Sequence, residues 1–379
     1  MNVASMHNVL FGRLRAFVRL GRPIFLLGGF ALYAVGAAVA AFVGHPIDEA
    51  RYFWGQLAVT ATQLMVHYSN DYFDLEADLA NATPTEWSGG SRVLPKGELP
   101  RWVALAAALF LAAVALTATI VLDVVLSGGR AATVVLLAAL VLSWEYSSPP
   151  LRLHSRGVGE LTAMIIVTLF VPLVGFSAQA GKLEPLAFVA AAPLCFLQFA
   201  MLLAVEFPDA RGDETVGKRT LVVRLGASRA AALYVASLVL AYVLLPLWRS
   251  LGLPQPVVVA LVLLFPLAAW LVWRAIRGEY RQPPHWNRFA FGSAALVMIS
   301  AVLEAGAFAQ LALRQHGQGA VEKARESAQD EQRAAADARP AGDGEHRAGE
   351  KRVAAIETRK LALVRSEGCA IGAASERVR

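Results

Sequence analysis

Nine long apolar segments constrain this chain more than any other feature of its sequence. A helix that crosses the hydrocarbon core of a bilayer needs ~20 predominantly apolar residues. Strands are a poor alternative, because the segments lack the alternating polarity of barrel strands and isolated strands would leave backbone groups unpaired in lipid. We therefore predict transmembrane helices at residues 23–44, 52–73, 102–122, 131–147, 160–180, 186–207, 230–248, 256–276 and 289–312.

The composition supports this prediction and excludes several other classes of protein. Hydrophobic residues make up 56% of the 379 residues and charged residues only 17%, whereas a soluble domain has ~25% charged residues. Two cysteines exclude a disulfide scaffold or a Cys-rich metal centre. The basic residues lie between apolar runs and form no single patch, so nucleic acid is not an expected partner. The predicted fold class is an all-α integral membrane protein with nine transmembrane helices.

The two ends of the chain differ from the apolar body. Residues 1–22 carry basic and apolar residues at helical spacing, which predicts an interfacial amphipathic helix; an ordinary juxtamembrane flank is the alternative. Residues 313–379 are rich in Ala, Arg and Glu, and we predict that this tail is disordered. The membrane domain is then 23–312. The residues that define the amphipathic pattern are Leu10, Arg13, Leu14, Arg15, Phe17, Arg19 and Arg22.

The distribution of lysine and arginine predicts the orientation. With the N-terminus inside, the inside segments carry 18 Lys and Arg residues and the outside connections carry 4. Cytoplasmic loops are enriched in these residues, so we expect a cytoplasmic N-terminus and, with nine spans, an external C-terminus. A bacterial inner membrane is the expected location. The long loops, which contain the candidate chemistry, would then face the cytoplasm.

The first acidic cluster ends the second predicted span. Asn70, Asp74 and Asp78 follow one another at intervals of four residues and share one helix face, with Asp71 adjacent. These acids could simply mark where the helix enters water. Four polar groups on one face, however, repel one another unless a cation neutralises them, and hard oxygen ligands favour Mg²⁺. We predict that all four residues bind this metal.

The second acidic cluster ends the sixth predicted span. Asp209 and Asp213 repeat the four-residue spacing, and Glu206 lies one turn earlier. Asp209 lies 135 residues after Asp74, but both spans run inward at these ends. The sequence therefore predicts one site between two helix ends, in which the first and second clusters together hold two Mg²⁺ ions.

Basic residues follow both clusters, as a diphosphate ligand would require. Arg92 and Lys96 follow the first cluster, and Lys218 and Arg219 follow the second. The positive-inside bias could explain these residues without a substrate. A third inside loop runs from Tyr146 through Pro149 and Pro150 to Arg152, His154 and Gly157, and we interpret His154 as a surface histidine.

These motifs resemble the UbiA superfamily of intramembrane prenyltransferases over roughly residues 15–312. The Gly-Lys-Arg-Thr-Leu run at 217–221 is most similar to the 1,4-dihydroxy-2-naphthoate branch of menaquinone synthesis. The resemblance implies nine helices around a central cavity, a polyprenyl diphosphate donor and an aromatic acceptor. It also implies roles at matching positions: metal binding by Asn70, Asp74, Asp78, Asp209 and Asp213, catalysis at Asp74, Asp213 and Tyr146, and diphosphate binding by Arg92, Lys96, Arg152, Lys218 and Arg219.

Two alternatives belong to different functional classes. A UbiA-type enzyme could use another acceptor, such as 4-hydroxybenzoate, homogentisate, or a lipid or tetrapyrrole alcohol. A secondary transporter could also contain several spans with buried acids, but its site would lie near the bilayer midplane. The acids of this chain instead lie at helix ends beside basic loops, as a diphosphate site would require.

Overall fold

The computed structural model describes residues 3–337, and every regular element in that range is helical. The chain divides into two compact units, Met1–Gly317 and Gln318–Arg379, and the cavity and the acidic clusters lie in the first. The helices are α1 (Val3–Leu20), α2 (Leu26–Phe42), α3 (Glu49–Phe73), α4 (Leu75–Ala80), α5 (Arg101–Ile120), α6 (Arg130–Ser147), α7 (Gly159–Met164), α8 (Val171–Ala180), α9 (Pro185–Glu206), α10 (Ala210–Thr215), α11 (Leu221–Leu225), α12 (Ala227–Val243), α13 (Leu245–Ser250), α14 (Gln255–Val262), α15 (Phe265–Ile276) and α16 (Pro283–Asp337).

Within residues 3–337, seven helical stretches are long and apolar enough to cross a membrane. Counting the pair α14 and α15, which is bent by 42°, as one span gives eight. Helix α3 has 25 residues but is more polar, and Thr62, Gln63 and His67 on it line an internal cavity. The chain is thus an integral membrane protein, while nine spans and the orientation of its termini remain predictions.

Irregular helix segments occur in two of the predicted spans. The segment predicted at 160–180 is α7 and α8 joined by a π-helical turn, Ile165–Phe170, and a second π-helical turn, Val121–Val125, extends α5. Such turns often occur at functional sites. The turn between α7 and α8 contributes Ile166, Val167 and Phe170 to the cavity wall.

Two glycines allow α2 and α8 to pack closely. A Cβ atom on Gly36 would lie 1.8 Å from the carbonyl oxygen of Pro172, and one on Gly175 would lie 2.2 Å from that of Tyr33. Small residues at such crossings bring the helix backbones into contact, which is how membrane helices gain van der Waals attraction without a hydrophobic driving force. The largest cluster of buried apolar residues surrounds this crossing.

The predicted tail differs from expectation in the part that the structure describes. Residues 313–337 continue α16 as helix, although disorder was expected there. Ala, Glu, Arg and Gln have high helix propensity, which explains a helix without a buried core. Residues 338–379 lie outside the described range, so the prediction for them stays untested.

Helix α16 contains a buried carboxyl group that should reduce stability. Glu304 is fully buried, and neither of its carboxyl oxygens has a hydrogen-bond partner. We expect Glu304→Leu to stabilise the protein by about 1–3 kcal/mol, because it removes an unsatisfied buried polar group. Thermal unfolding in detergent would measure this. Glu304→Gln is the matched control, since its amide is equally unpaired; an equal gain in both variants would contradict the explanation.

Candidate active site

Asp74 lies at the centre of a polar network where α3 ends. Its Oδ2 accepts hydrogen bonds from Lys218 Nζ at 2.9 Å and from Asn70 Nδ2 at 3.2 Å, and its Oδ1 lies 2.6 Å from His154 Nε2. Burial opposes ionisation of this carboxyl group, but Lys218 and His154 outweigh that effect and hold the pKa of Asp74 well below its usual value. Asp74 is therefore an anion at neutral pH.

Lys218 joins the two acidic clusters. Its Nζ lies 2.9 Å from Asp74 Oδ2 and 3.5 Å from Asp213 Oδ1. Burial disfavours the charged amine, but the Asp74 and Asp213 carboxylates outweigh it and raise the pKa of Lys218 well above its usual value. Asp74 and Asp213 lie far apart in the chain but thus share one partly buried ammonium group.

The loop after the first cluster closes over the second cluster. Asp209 accepts hydrogen bonds from Asn81 Nδ2 at 2.7 Å and from the Gly89 backbone N–H at 2.9 Å. Gly90 has a positive φ of 72°, and a Cβ atom there would lie 2.0 Å from Asp78 Oδ2. The Gly-Gly pair therefore lets the backbone approach carboxylates from both clusters, which a larger residue would prevent.

Asp71 is held by protein groups, and its charge remains next to that of Asp78. Its fully buried carboxylate pairs with the Arg22 guanidinium and accepts a hydrogen bond from the Ser91 hydroxyl. Arg22 follows α1 in a left-handed conformation, φ 47°, and it also lines the internal cavity. Arg22 thus lies beyond the end of α1 and pairs with a buried acid, whereas the interfacial location of segment 1–22 stays a prediction.

The predicted cations separate into two groups. Lys218 lies between the clusters, and Arg92 donates a hydrogen bond to the backbone carbonyl of Asp78. The side chains of Lys96, Arg152 and Arg219 are exposed, and within residues 3–337 none of them forms an ion pair with either cluster. Basic character alone therefore does not distinguish the residues beside the acids from those that face solvent.

Two carboxylates have raised pKa values despite the neighbouring cations. Burial and the neighbouring charge of Asp71 raise the pKa of Asp78 to about 7. Burial and the neighbouring charge of Asp209 raise the pKa of Asp213 to about 6, although Lys218 acts in the opposite direction. Among the described residues, no three His, Cys, Asp or Glu side chains converge into a preformed metal site. The donors are nevertheless hard oxygens whose repulsion a divalent cation would relieve, so the clusters fit Mg²⁺.

An apolar cavity of about 550 Å³ lies beside these clusters. Its walls come from α2, α3, α6, α9, α16 and the region of α7 and α8, and almost all of the lining is hydrophobic. Arg22, His67, Ser143 and Tyr146 provide polar groups in its wall. A cavity of this size and polarity can hold a hydrocarbon chain while excluding water.

Tyr146 and His154 connect the cavity to Asp74. Tyr146 lines the cavity, and its ring centroid lies 5.5 Å from that of His154. The interpretation of His154 as a surface residue is wrong: its side chain is 4% exposed and contacts Asp74. The turn Leu153–Ser155 directs it inward, which the sequence could not indicate because no companion residue marks it.

Comparison with known proteins assigns the chain to a protein family. A sequence model described as the UbiA prenyltransferase family matches residues 29–297. The chain belongs to this family. Its resemblance to UbiA proteins is therefore confirmed, and the protein is an enzyme that transfers prenyl groups.

Related UbiA proteins differ in their named activities. A digeranylgeranylglyceryl phosphate synthase from Halobacterium salinarum is 34% identical over 224 residues, 58% of this chain and 72% of that protein. A 1,4-dihydroxy-2-naphthoate octaprenyltransferase from Bacillus subtilis is 23% identical over 227 residues, 59% of this chain and 70% of that protein. A UbiA homolog from Archaeoglobus fulgidus bound to Cd²⁺ shares the fold, with TM-score 0.55, 16% identity and coverage of 76% of this chain and 98% of that one.

Proposed function

We propose that this UbiA enzyme transfers a polyprenyl group from a polyprenyl diphosphate to an acceptor at the membrane, with Mg²⁺ as cofactor. The observation that carries the proposal is the junction of an apolar cavity with two acidic clusters joined by Lys218. An amphiphile with a hydrocarbon chain and a diphosphate head matches both halves of this junction. The A. fulgidus homolog has also been solved with GPP and Mg²⁺, at TM-score 0.50.

The acidic and the basic residues of the site would hold the donor in different ways. Asn70, Asp74, Asp78, Asp209 and Asp213 would hold Mg²⁺, which when bound neutralises charge on the diphosphate leaving group. Lys218 supplies a fixed positive charge where that negative charge grows. Arg22 and Arg92 lie beside the first cluster and can donate hydrogen bonds to phosphate oxygens.

The apolar cavity would bind the hydrocarbon chain of the donor. It holds the hydrocarbon chain out of water, so that an allylic cation formed at C1 meets the acceptor before it meets solvent. Tyr146 lies in the cavity wall near Asp74, where its ring can face that cation. The reaction is then a substitution at C1 in which the diphosphate takes the electron pair of the breaking C–O bond.

Two acceptors have specific support. The sequence motif at 217–221 favours 1,4-dihydroxy-2-naphthoate, which would lose CO₂ during prenylation. The higher identity to the Halobacterium synthase favours an alcohol of the glyceryl phosphate type. Menaquinone synthesis and archaeal-type lipid synthesis are the corresponding roles, and the acceptor decides between them.

Membranes containing the full chain would test the proposal. The donor is GPP or a longer polyprenyl diphosphate, and the acceptors are 1,4-dihydroxy-2-naphthoate, 4-hydroxybenzoate, homogentisate and geranylgeranylglyceryl phosphate. We expect a prenylated product, detected by mass spectrometry, that is lost when a chelator removes Mg²⁺. Folded protein that neither binds the donor nor forms a product would contradict the proposal and favour transport.

A further inference from the structure

The protein uses only one of the two ring nitrogens of His67. This residue of α3 lines the apolar cavity, and its Nδ1 lies 2.7 Å from the carbonyl oxygen of Gly21. A carbonyl oxygen can only accept a hydrogen bond, so Nδ1 carries the hydrogen, and Nε2 is the acceptor atom of the neutral ring. Within residues 3–337, Nε2 has no hydrogen-bond partner.

The free nitrogen of His67 is open to the cavity. It keeps accessible surface, whereas the hydroxyl oxygen of Ser143 in the same wall is sealed. The Phe25 ring packs edge-on against the imidazole, with centroids 6.0 Å apart, and together with the Gly21 hydrogen bond it fixes the ring. A prenyl chain cannot satisfy this nitrogen, and an unpaired polar group against hydrocarbon costs free energy. The nitrogen therefore indicates a second ligand, one that donates a hydrogen bond.

His67 lies at the depth where the acceptor must react. It precedes Asn70 and Asp71 by one helical turn and shares their helix face, about 5 Å farther along α3 from the first cluster. Asn70 and Asp74 are assigned to the Mg²⁺ that holds the diphosphate, so C1 of the prenyl chain follows on the cavity side of them. The attacking atom of the acceptor must approach C1 to about 3–3.5 Å. An acceptor in that place lies beside the wall that contains His67.

We propose that His67 binds and orients the acceptor by accepting, at Nε2, a hydrogen bond from a hydroxyl group of that acceptor. The inference rests on the proposed prenyl transfer and adds how the acceptor is recognised. A carboxylate or phosphate anion has no hydrogen to donate to Nε2, so the contact selects a hydroxyl group. It orients an aromatic acceptor, whose hydroxyl activates the ring, and an alcohol, whose oxygen attacks C1, equally well. No proton transfer to His67 is required.

His67→Asn separates this role from a structural one. The asparagine amide nitrogen can replace Nδ1 and keep the hydrogen bond to Gly21, but nothing replaces Nε2. The assay uses membranes containing the full chain and the acceptor that the wild-type protein prenylates, out of the four named above. We expect the KM of the acceptor to rise about 10-fold, as one lost hydrogen bond would cause, with the KM of the prenyl diphosphate unchanged within about twofold. Thermal unfolding in detergent should be unaltered.

The O-methyl ether of the same acceptor gives a second readout. The ether cannot donate a hydrogen bond, so the wild-type protein should bind it, as a competitive inhibitor, about 10-fold more weakly than the acceptor. His67→Asn should bind the acceptor and the ether with equal affinity. A His67 that only supported the fold would leave the ratio of affinities unchanged. His67→Gln, whose amide oxygen extends to the position of Nε2, should restore part of that ratio.

Thr62→Val is the matched control on the same helix. Thr62 lines the cavity, but its hydroxyl donates to the Ala58 carbonyl at 2.8 Å, so its loss should leave both KM values and the ratio of affinities unaltered. An unchanged acceptor KM in folded His67→Asn would overturn the inference. Equal affinity of the wild-type protein for the acceptor and its ether would overturn it without any variant. A wild-type protein that forms no product and binds no prenyl diphosphate would instead contradict the proposed prenyl transfer.

Discussion

Asp213→Asn is expected to reduce prenyl transfer by about 10³-fold and to leave the protein folded in the membrane. The substitution keeps the shape of the side chain but removes one of the two carboxylates that share Lys218. The second cluster then has a weaker charge with which to hold a divalent cation and orient the diphosphate. Single-turnover transfer and thermal unfolding of the same detergent-solubilised sample would measure both effects.

Asp74→Asn should reduce prenyl transfer as much as Asp213→Asn does, and it should also destabilise the protein. It removes a carboxylate of the first cluster, and it leaves Lys218 with a weaker partner, so stability should also fall by about 3–5 kcal/mol. Asp123→Asn is the matched control. Asp123 lies just beyond α5, at the end opposite to Arg101, whose side chain donates a hydrogen bond to the Tyr72 carbonyl in α3. Activity retained in either cluster variant would contradict the two-cluster site.

The helical fold and the existence of the two clusters could be predicted because they depend on local spacing. Apolar runs long enough to cross a bilayer specify helices, and acids at intervals of four residues share a helix face. The positive-inside bias then brings both acidic ends to one side, which predicts a common site. In the structure, Lys218 contacts Asp74 and Asp213, members of both clusters.

Other features depend on tertiary structure and carry no local signal. Arg22 lies in a basic amphipathic pattern, yet a left-handed backbone after α1 brings it to Asp71. His154 has no neighbouring ligand in sequence, and only the turn after α6 brings it to Asp74. Helix α3 is more polar than a lipid-facing helix because it lines the cavity. Hydropathy alone cannot distinguish such a helix from a solvent-exposed one.

The adjacent residues Lys218 and Arg219 show this limit most directly, since the sequence gives them equal weight. In the structure Lys218 lies between the clusters, whereas Arg219 is exposed and its backbone N–H pairs with Ser155. The turn that precedes α11 thus sends two neighbouring cations in different directions. A site that requires fixed charge should therefore depend on one of them and not on the other.

Lys218→Met is accordingly expected to lower kcat/KM for the donor by about 10²–10³-fold, because the stabilising charge on the leaving group is lost and Asp74 repels Asp213 without compensation. Arg219→Met, one residue away, should change it by less than about threefold. Lys218→Arg should recover little, since a planar guanidinium cannot replace a compact ammonium between two carboxylates. The measurement is steady-state transfer at saturating Mg²⁺, and equal losses in the two methionine variants would show that general basic charge, not this position, binds the diphosphate.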